Sequence, residues 1–353
     1  MDLLKVQGVM IDGVVACLPE NKINNRDACA KLYGEGVDTL IKATGIISRY
    51  TANSGTTSLD LNIAAAKELL DKTNTKVEDF GAVICVTFTP EHLMPADAPS
   101  AQSRLGLSQH CMAFDINMAC SGYGYGLYIA SILVNTLKKK VLLLNGDTQT
   151  VFVSQDDKAT FPVLSDVGTA TILSPDGSGA DWIFSFYTDG SRKDVLLIPF
   201  GGTKQPVTHD SLEYKSYEDG SKRRNIDMYM NGFEVYKFVA IDVSKFLQQF
   251  LNESKINLDD IDAFVPHQAN IYMITQLAKK LNFKAEKLWK SGDVYGNPAS
   301  ASVPLTIAEN ARKWFINKEN GNILLAGFGG GLSISAGNIL LKSEAYYNVI
   351  QYR

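Results

Sequence analysis

Three polar residues lie in segments whose composition suits covalent chemistry. Cys120 follows the apolar run DINMA and opens the small, glycine-rich run CSGYG. His267 lies in VPHQAN, and Asn297 lies in YGNPASAS. Each residue comes at or just after the end of a strand-like run, so the three side chains can meet at strand ends. A thiolate nucleophile with two hydrogen-bonding partners is typical of thioester chemistry.

The local setting of each residue also allows a plain structural role. We expect Cys120 to stand just before a helix that begins near Ser121, where the helix dipole favours the thiolate. The alternative is a buried cysteine at a tight junction between a strand and a helix. His267 is either a catalytic imidazole or a satisfied core histidine, and Asn297 is either a ligand-binding amide or a turn residue.

A third feature is the run of glycines at 329–331, directly after the apolar run 323–328. Its backbone N–H groups are suited to bind an oxyanion, although a tight turn between strands would also place glycines there. No metal is expected, because the His and Cys residues follow no known ligand spacing. A GxGxxG dinucleotide fingerprint after a strand is also missing from the sequence.

Composition and charge narrow the class of protein. The chain has 353 residues, so two halves are expected, and its hydrophobic fraction of 45% is that of a globular protein. A net charge of −4 gives no basic field for nucleic acid or an anionic membrane surface. Five cysteines form no disulfide framework, and no apolar stretch of about 18 residues is present. We therefore expect a cytoplasmic protein with reduced thiols.

The sequence repeats itself at a distance. Residues 77–84 resemble 258–265, and residues 141–147 resemble 323–329. Each pair has nearly the same separation, which indicates a duplicated α/β unit of roughly 170 to 180 residues. We place the two halves at 1–180, with the Cys, and 181–353, with the His and Asn. Helical patterns lie between the strand-like runs, among them 122–137 and 302–315. Their alternation with the strands predicts largely parallel or mixed sheets covered on both faces.

With these segments in order, the chain resembles β-ketoacyl-acyl-carrier-protein synthase III, within the thiolase-like condensing enzymes. The resemblance extends over almost the whole chain and depends on five motifs that follow one another in the order of the family. They are TGIxxR at 44–49, the nucleophile segment at 114–122, VPHQAN at 265–270, GNxxSASxP at 296–304 and the FGGG turn at 328–332.

The resemblance implies an α/β protein with a thiolase-like five-layered αβαβα fold, built from two duplicated halves. It implies that Cys120 accepts the acyl primer, and that His267 and Asn297 bind the carrier thioester and stabilise the enolate formed by decarboxylation. The backbone N–H groups of Cys120 and Gly330 would form the oxyanion hole. Asn270 would lie beside the pantetheine tunnel.

Partners and cofactors follow from the same resemblance. Lys279 and Lys280 match positions that dock an acidic acyl carrier protein, and Met94 takes the place of a frequent Phe at the dimer-borne wall of the acyl pocket. The family is homodimeric and acts on acyl and malonyl thioesters. It uses no resident cofactor, since phosphopantetheine arrives on the carrier protein or coenzyme A.

This chain departs from the family pattern at the nucleotide clamp. Thr39 and Ala43 stand where a Trp and an Arg are common, and Lys158 stands where another Arg often contacts the nucleotide. Tyr272 replaces an Arg near the docking lysines. We therefore expect a primer bound to a carrier protein rather than to coenzyme A, in a specialised pathway.

Three other functions stay open at this level. An acyltransferase would pass the acyl group to an alcohol or amine without decarboxylation, although such relatives often alter the His or Asn. A non-catalytic subunit of a condensing heterodimer would usually lack the nucleophile, which this chain keeps. Chalcone-type polyketide synthases share the Cys, His and Asn, but VPHQAN and FGGG fit synthase III better.

Overall fold

Two mixed β-sheets form the framework of the computed structural model, which describes residues 1–177 and 181–353. The strands within these residues are β1 (Leu4–Gln7), β2 (Val9–Leu18), β3 (Asn21–Asn24), β4 (Ser48–Thr51), β5 (Phe80–Val86), β6 (Met112–Ile116), β7 (Lys140–Asp147), β8 (Val167–Pro175), β9 (Asp181–Thr188), β10 (Leu196–Leu197), β11 (Lys215–Ser216), β12 (Lys222–Arg223), β13 (Tyr229–Met230), β14 (Ala263–Pro266), β15 (Asn320–Gly329), β16 (Ser333–Lys342) and β17 (Tyr346–Gln351).

The helices cover the two sheets and fill the space between them. Those in the described residues are α1 (Asn25–Ala28), α2 (Ala30–Tyr33), α3 (Val37–Thr44), α4 (Ser58–Thr73), α5 (Asp97–Arg104), α6 (Gly122–Leu137), α7 (Gly232–Lys237), α8 (Ser244–Ser254), α9 (Ile271–Lys280), α10 (Gly292–Tyr295) and α11 (Ser302–Trp314). The helices predicted at 122–137 and 302–315 are thus confirmed. Of the helices in the described part, none has the length and apolar character needed to cross a bilayer.

The strand order is β17-β2-β8-β7-β5-β6 in the larger sheet and β1-β9-β16-β15-β14 in the smaller one. Both sheets are mixed: β5 runs parallel to β6 and β7, whereas β7 and β8 are antiparallel. In the smaller sheet β14 and β15 are parallel, and β15 and β16 are antiparallel. The sequence prediction of parallel or mixed sheets is therefore correct.

Alternation along the strands produces the layers. In β5, Ile84 and Val86 point into the central cluster, while Val83 and Cys85 point into an outer cluster. Successive strand side chains face opposite sides of a sheet, so a strand that is apolar at every position needs a partner layer on each face. Helices α4 and α5 cover one outer face, α6 and α11 lie between the sheets, and α8 and α9 cover the other outer face. This is the five-layered αβαβα arrangement.

The duplicated halves meet at two equivalent turns. A 3₁₀ turn at Ala119–Ser121 precedes α6, and another at Ala299–Ala301 precedes α11. Ala119 and Ala299 both adopt the left-handed conformation, with φ of 42° and 45°. Because this conformation is unusual for a residue with a Cβ, its occurrence at equivalent places indicates one geometry used twice.

The boundary predicted near residue 180 touches residues 178–180, which lie outside the described residues. The sheets themselves exchange their terminal strands. β1 pairs with β9 in the smaller sheet, and β17 pairs with β2 in the larger sheet. Each sheet therefore contains a strand from the other end of the chain, which the repeat pattern did not indicate. The division into 1–180 and 181–353 stays a prediction.

The close approach of α6 to β16 generates a test of the central layer. A Cβ at Gly124 would lie 2.6 Å from the Cβ of Ser335. We expect Gly124→Ala to destabilise the protein by about 1–3 kcal/mol, because the overpacked layer has to shift. Gly36→Ala is the control, since a Cβ there meets open space. Urea unfolding midpoints of the two variants provide the measurement, and equal midpoints would contradict this account of the layer.

Candidate active site

A cavity of about 810 Å³ opens where the two halves meet. Cys120, His267 and Asn297 all line it, as do Asn270 and Gly330. The 3₁₀ turn with Cys120, the glycine turn, the residue after β14 and the residue two positions before the second 3₁₀ turn thus share one space, although they are far apart in the chain. The structure brings together the three residues that the sequence indicated.

The nucleophile turn, Ala119–Ser121, is held by hydroxyl groups. Ser121 Oγ lies 2.7 Å from Ser333 Oγ, and Ser335 Oγ donates to the Ser121 carbonyl at 2.9 Å. Ser333 also donates to the carbonyl of Gly330 at 2.8 Å. These bonds connect the nucleophile turn to the glycine turn that follows β15. Cys120 is therefore fixed against the very backbone that was predicted to supply the oxyanion hole.

The Cys120 thiol differs from the sequence expectation in its acidity. Burial, and then the Asp147 carboxylate, raise the pKa of Cys120 to about 12. A helix N-terminus contributes about 2 kcal/mol at most, or roughly one and a half pH units, so the dipole of α6 is outweighed. The expectation that the resting enzyme favours the thiolate is wrong. The thiol is protonated at neutral pH.

His267 lies at the end of β14, as the sequence predicted, and its side chain is almost completely buried. Its Nδ1 is 2.7 Å from Ser302 Oγ in the first turn of α11, and the Phe328 ring stands edge-on to the imidazole at 5.3 Å. Burial lowers the pKa of His267 to about 3. The imidazole is therefore neutral at physiological pH, with one ring nitrogen already engaged.

Asn297 is oriented by its own turn. The Oδ1 atom accepts a hydrogen bond from the Ala299 N–H at 3.0 Å, which leaves the Nδ2 group as the donor end of this side chain. The main-chain carbonyl accepts from Gln149 Nε2 at 2.7 Å and from Ser165 N–H at 3.0 Å. Hydrogen bonds from three segments thus hold the side chain and the main chain of Asn297 beside the cavity. A residue that only formed a turn would not need all three.

The glycine turn at 329–331 packs directly on the nucleophile. A Cβ at Gly329 would lie 2.7 Å from the Cys120 Cβ and 3.1 Å from its Sγ. Gly331 has φ of 135°, a conformation that side chains rarely adopt. Only glycine at these two positions lets the backbone reach the sulfur and then turn away. Gly330, between them, lines the cavity.

Of the other site residues predicted from the resemblance, Asn270 lines the cavity, whereas Met94 and the two docking lysines lie outside it. Asn270 lines the cavity but also caps α9, because its Oδ1 accepts from the Met273 N–H at 2.7 Å. Met94 is 86% exposed and is not among the described residues that line this cavity. Lys279 and Lys280 border a separate surface groove of about 420 Å³, where Lys280 Nζ donates to the Ala240 carbonyl.

Two contacts of the site were missed in the sequence. Ser302 was assigned to a helix and to the motif at 296–304 without a role of its own, although its hydroxyl orients His267. Asp147 was assigned only to the repeat, although its buried carboxylate accepts from Ser300 Oγ at 2.8 Å. One signal was available: NMAC and NPAS, at 117–120 and 297–300, lie 180 residues apart and form equivalent turns.

The arrangement can perform acyl transfer to sulfur and can stabilise an enolate. It places a buried thiol, a neutral imidazole and an amide donor around one cavity, with backbone N–H groups beside the sulfur. Among residues 1–177 and 181–353, no group of three or more His, Cys, Asp or Glu side chains could hold a metal ion.

Comparisons with known proteins agree with this geometry. Residues 114–190 match the family model 3-oxoacyl-[acyl-carrier-protein] synthase III, and residues 251–340 match its C-terminal model. The β-ketoacyl-[acyl-carrier-protein] synthase III of Clostridioides difficile is 32% identical over 92% of this chain and 95% of its own length. That of Fusobacterium nucleatum is 30% identical over 96% and 99%.

Solved structures show the same fold. The 3-oxoacyl-(acyl-carrier protein) synthase of Burkholderia xenovorans LB400 superposes with a TM-score of 0.92, at 30% identity over 99% of both chains. The synthase III of Thermus thermophilus has a TM-score of 0.81 at 29% identity, covering 94% of this chain and 98% of that one. The predicted fold class is thus confirmed.

The contact between Gly329 and Cys120 generates a test of the site. We expect Gly329→Ala to reduce acylation of Cys120 at least about tenfold, because the new methyl displaces the sulfur from the backbone donors. Gly330→Ala is the matched control, since its Cβ would meet no atom closer than 3.9 Å. Mass spectrometry of the acylated protein measures loading. Equal loading in both variants would show that the sulfur tolerates displacement.

Proposed function

This chain belongs to the β-ketoacyl-[acyl-carrier-protein] synthase III family, and we propose how its own residues divide the reaction between them. The protein is a condensing enzyme of the acyltransferase class. In our proposal an acyl primer is transferred to Cys120 and then condensed with malonyl carrier protein, with release of carbon dioxide and a 3-oxoacyl product. The observation that supports this assignment best is the convergence of Cys120, His267 and Asn297 on one cavity.

The first half of the reaction is exchange of one thioester for another. The Cys120 sulfur attacks the primer carbonyl, the new C–S bond forms, and the bond to the carrier sulfur breaks. The thiol proton ends on the departing carrier thiol, so a protonated resting thiol balances the exchange. The backbone N–H groups of Cys120 and Gly330 bind the oxyanion of the tetrahedral intermediate. Covalent loading divides a difficult step into two easier ones.

The second half requires an enolate, and we assign His267 and Asn297 to it. Loss of carbon dioxide from the malonyl group leaves negative charge on the thioester oxygen. If the Ser302 hydroxyl donates to Nδ1 of His267, then Nε2 carries the proton and faces the substrate as a donor. Asn297 Nδ2 is the second donor. The enolate carbon then attacks the carbonyl carbon of the acyl group, the C–S bond to Cys120 breaks, and the released sulfur takes up a proton from solvent.

The same geometry bears on the alternative function, acyl transfer to an alcohol or amine without decarboxylation. A transfer to an alcohol or amine needs a base that removes a proton from the acceptor. The neutral His267 could serve as that base, but such a reaction makes no demand on Asn297. Gln149 donates to the main-chain carbonyl of Asn297, and the Ala299 N–H donates to its side-chain oxygen, so the residue is held in place beside the cavity. Two donors beside one thioester site therefore favour condensation.

We propose that the primer arrives on a carrier protein, because the residues near the entrance of the cavity do not form a binding site for a nucleotide. Leu40 and Thr44 of α3 line the cavity, so Thr39 and Ala43, which are exposed on the same helix, lie near its entrance. Neither side chain can stack on an adenine or reach a phosphate. Lys158 donates to the Asp219 carbonyl at 3.2 Å, in the turn between β11 and β12, so its ammonium group already has a protein partner. A specialised pathway is part of the same proposal.

Partners and surroundings complete the proposal. Leu93 and Met94 are 95% and 86% exposed, and the edge strand β6 also exposes Met112. This apolar surface supports a homodimer in which Met94 enters the partner's acyl pocket. Lys279 and Lys280, in the last turn of α9, would dock an acidic carrier protein. All five cysteines are free thiols, which supports a cytoplasmic setting.

The assignment of the two enolate donors is testable by separating the half-reactions. We expect His267→Ala and Asn297→Ala to slow malonyl decarboxylation by about 10²–10³, because each variant lacks one donor to the enolate. Primer loading should fall less, since it depends on backbone donors. The paired measurement is mass spectrometry of loading and carbon dioxide release from labelled malonyl carrier protein.

The control for these variants is Cys120→Ala, which should lose loading completely. Normal decarboxylation in both donor variants would remove His267 and Asn297 from the mechanism. A wild-type enzyme that releases no carbon dioxide with any primer, but acylates an alcohol or amine, would establish acyl transfer without decarboxylation instead.

Carrier choice has its own test. We expect kcat/KM for an acyl primer on carrier protein to exceed that on coenzyme A, because Thr39 and Ala43 provide no nucleotide clamp. The double variant Thr39→Trp, Ala43→Arg should raise coenzyme A use about tenfold, the effect of one charged hydrogen bond. Lys42→Arg, also exposed on α3, is the matched control. Equal or better use of coenzyme A by the wild type would overturn the proposal.

A further inference from the structure

A buried carboxylate contacts several parts of the candidate active site. Asp147 is the last residue of β7 and is completely buried. Its Oδ1 accepts from the Phe88 N–H at 2.8 Å and from Thr87 Oγ1 at 3.1 Å. Its Oδ2 accepts from Ser300 Oγ at 2.8 Å. One carboxylate thus bridges the loop after β5, whose Phe88 lines the cavity, and the turn that follows Asn297.

Ser300, at one end of this bridge, lies in a turn equivalent to the one that carries Cys120. Ser300 occupies the same place in the turn Ala299–Ala301 that Cys120 occupies in the turn Ala119–Ser121. The two turns are in contact with each other, and the Ser300 turn also contacts β7. The duplication has therefore placed a nucleophile in one turn and a hydroxyl donor in the other. The hydroxyl donates to Asp147, so the carboxylate is one residue away from the turn that carries the nucleophile.

Electrostatics connect Asp147 to Cys120 as well. Burial raises the pKa of Asp147 to about 6, so the group is ionised at neutral pH. Its charge adds to burial in raising the pKa of the Cys120 thiol. The groups that hydrogen-bond to the carboxylate, from residues 87–89 and from Ser300, are all uncharged. His267 and Lys158 line the same cavity as Cys120, and the imidazole of His267 stays neutral.

We propose that Asp147 is a positioning residue that holds the Ser300 turn against the nucleophile turn and opposes a second negative charge on Cys120. The inference rests on the proposed role of Cys120 as nucleophile. A thiolate beside the carboxylate is disfavoured, whereas the thioester formed by loading is neutral and meets no such repulsion. Asp147 therefore favours the acylated enzyme over the free thiolate, and it protects the resting thiol from alkylation and oxidation.

Alkylation of Cys120 tests the charge. In Asp147→Asn the side chain keeps its shape and loses its charge, so we expect the pH midpoint of iodoacetamide labelling at Cys120 to fall by about one unit, with labelling about tenfold faster at pH 8. Asp166→Asn is the matched control: Asp166 is equally buried, but it accepts from Ala52 and Thr150 instead. An unchanged midpoint in Asp147→Asn, or the same fall in Asp166→Asn, would overturn the inference.

Ser300→Ala tests the bridge, because it removes the hydroxyl and leaves the charge. We expect its labelling midpoint to stay at or above that of the wild type, and malonyl decarboxylation to fall about tenfold as the turn after Asn297 loosens. If Asp147→Asn does not fold, Ser300→Ala tests the bridge by itself. A malonyl decarboxylation rate equal to that of the wild type in Ser300→Ala would then overturn the bridge. Iodoacetamide labelling does not depend on catalytic turnover. Primer loading that persists in Cys120→Ala would therefore contradict the proposed function, whereas the labelling midpoints of the Asp147 and Ser300 variants would be unchanged.

Discussion

The packing of two helices between two sheets constrains the rest of this molecule. Both sheets are apolar on both faces, so α6 and α11 have to lie in a central layer with no solvent on either side. Close approach is possible because α6 begins with small residues, and Gly122 and Gly124 contact strand side chains directly. A layer this tight leaves little freedom in how each helix begins.

The reactive groups lie where these two helices begin. Each helix follows a 3₁₀ turn, one with Cys120 and the other just after Asn297. The first turn of α11 also supplies Ser302, which orients the imidazole of His267. The catalytic geometry is therefore a consequence of packing: once both helices fill the central layer, their starting turns contact each other beside one cavity.

Burial in this layer also sets the protonation states. Desolvation disfavours every charged form, so the Cys120 thiol and the His267 imidazole are both neutral at rest. This differs from a thiolate–imidazolium pair, in which the two charges stabilise each other. Here the site offers preorganised hydrogen-bond donors in a low-dielectric space, and such donors act most strongly where charge develops during the reaction. An enolate and an oxyanion are charges of that kind.

Much of this architecture could be predicted from local patterns in the sequence. Apolar periodicity indicated the buried strands and the helices α6 and α11, and the repeats indicated two related halves. The glycine-rich run after Cys120, the strand before His267 and the turn around Asn297 each pointed to a residue at the end of an element. These features depend on neighbours in the chain, because side-chain periodicity and turn preference are local properties.

Only the tertiary structure decided the features that depend on distant residues. The exchange of β1 and β17 between the sheets, the exposure of Met94 and the bridge from Asp147 to Ser300 involve parts of the chain that no local pattern connects. The thiol of Cys120 is the clearest case. Its sequence context, before a helix, favours the thiolate, but its pKa depends on how completely the folded protein removes water from the sulfur and on the charge of Asp147.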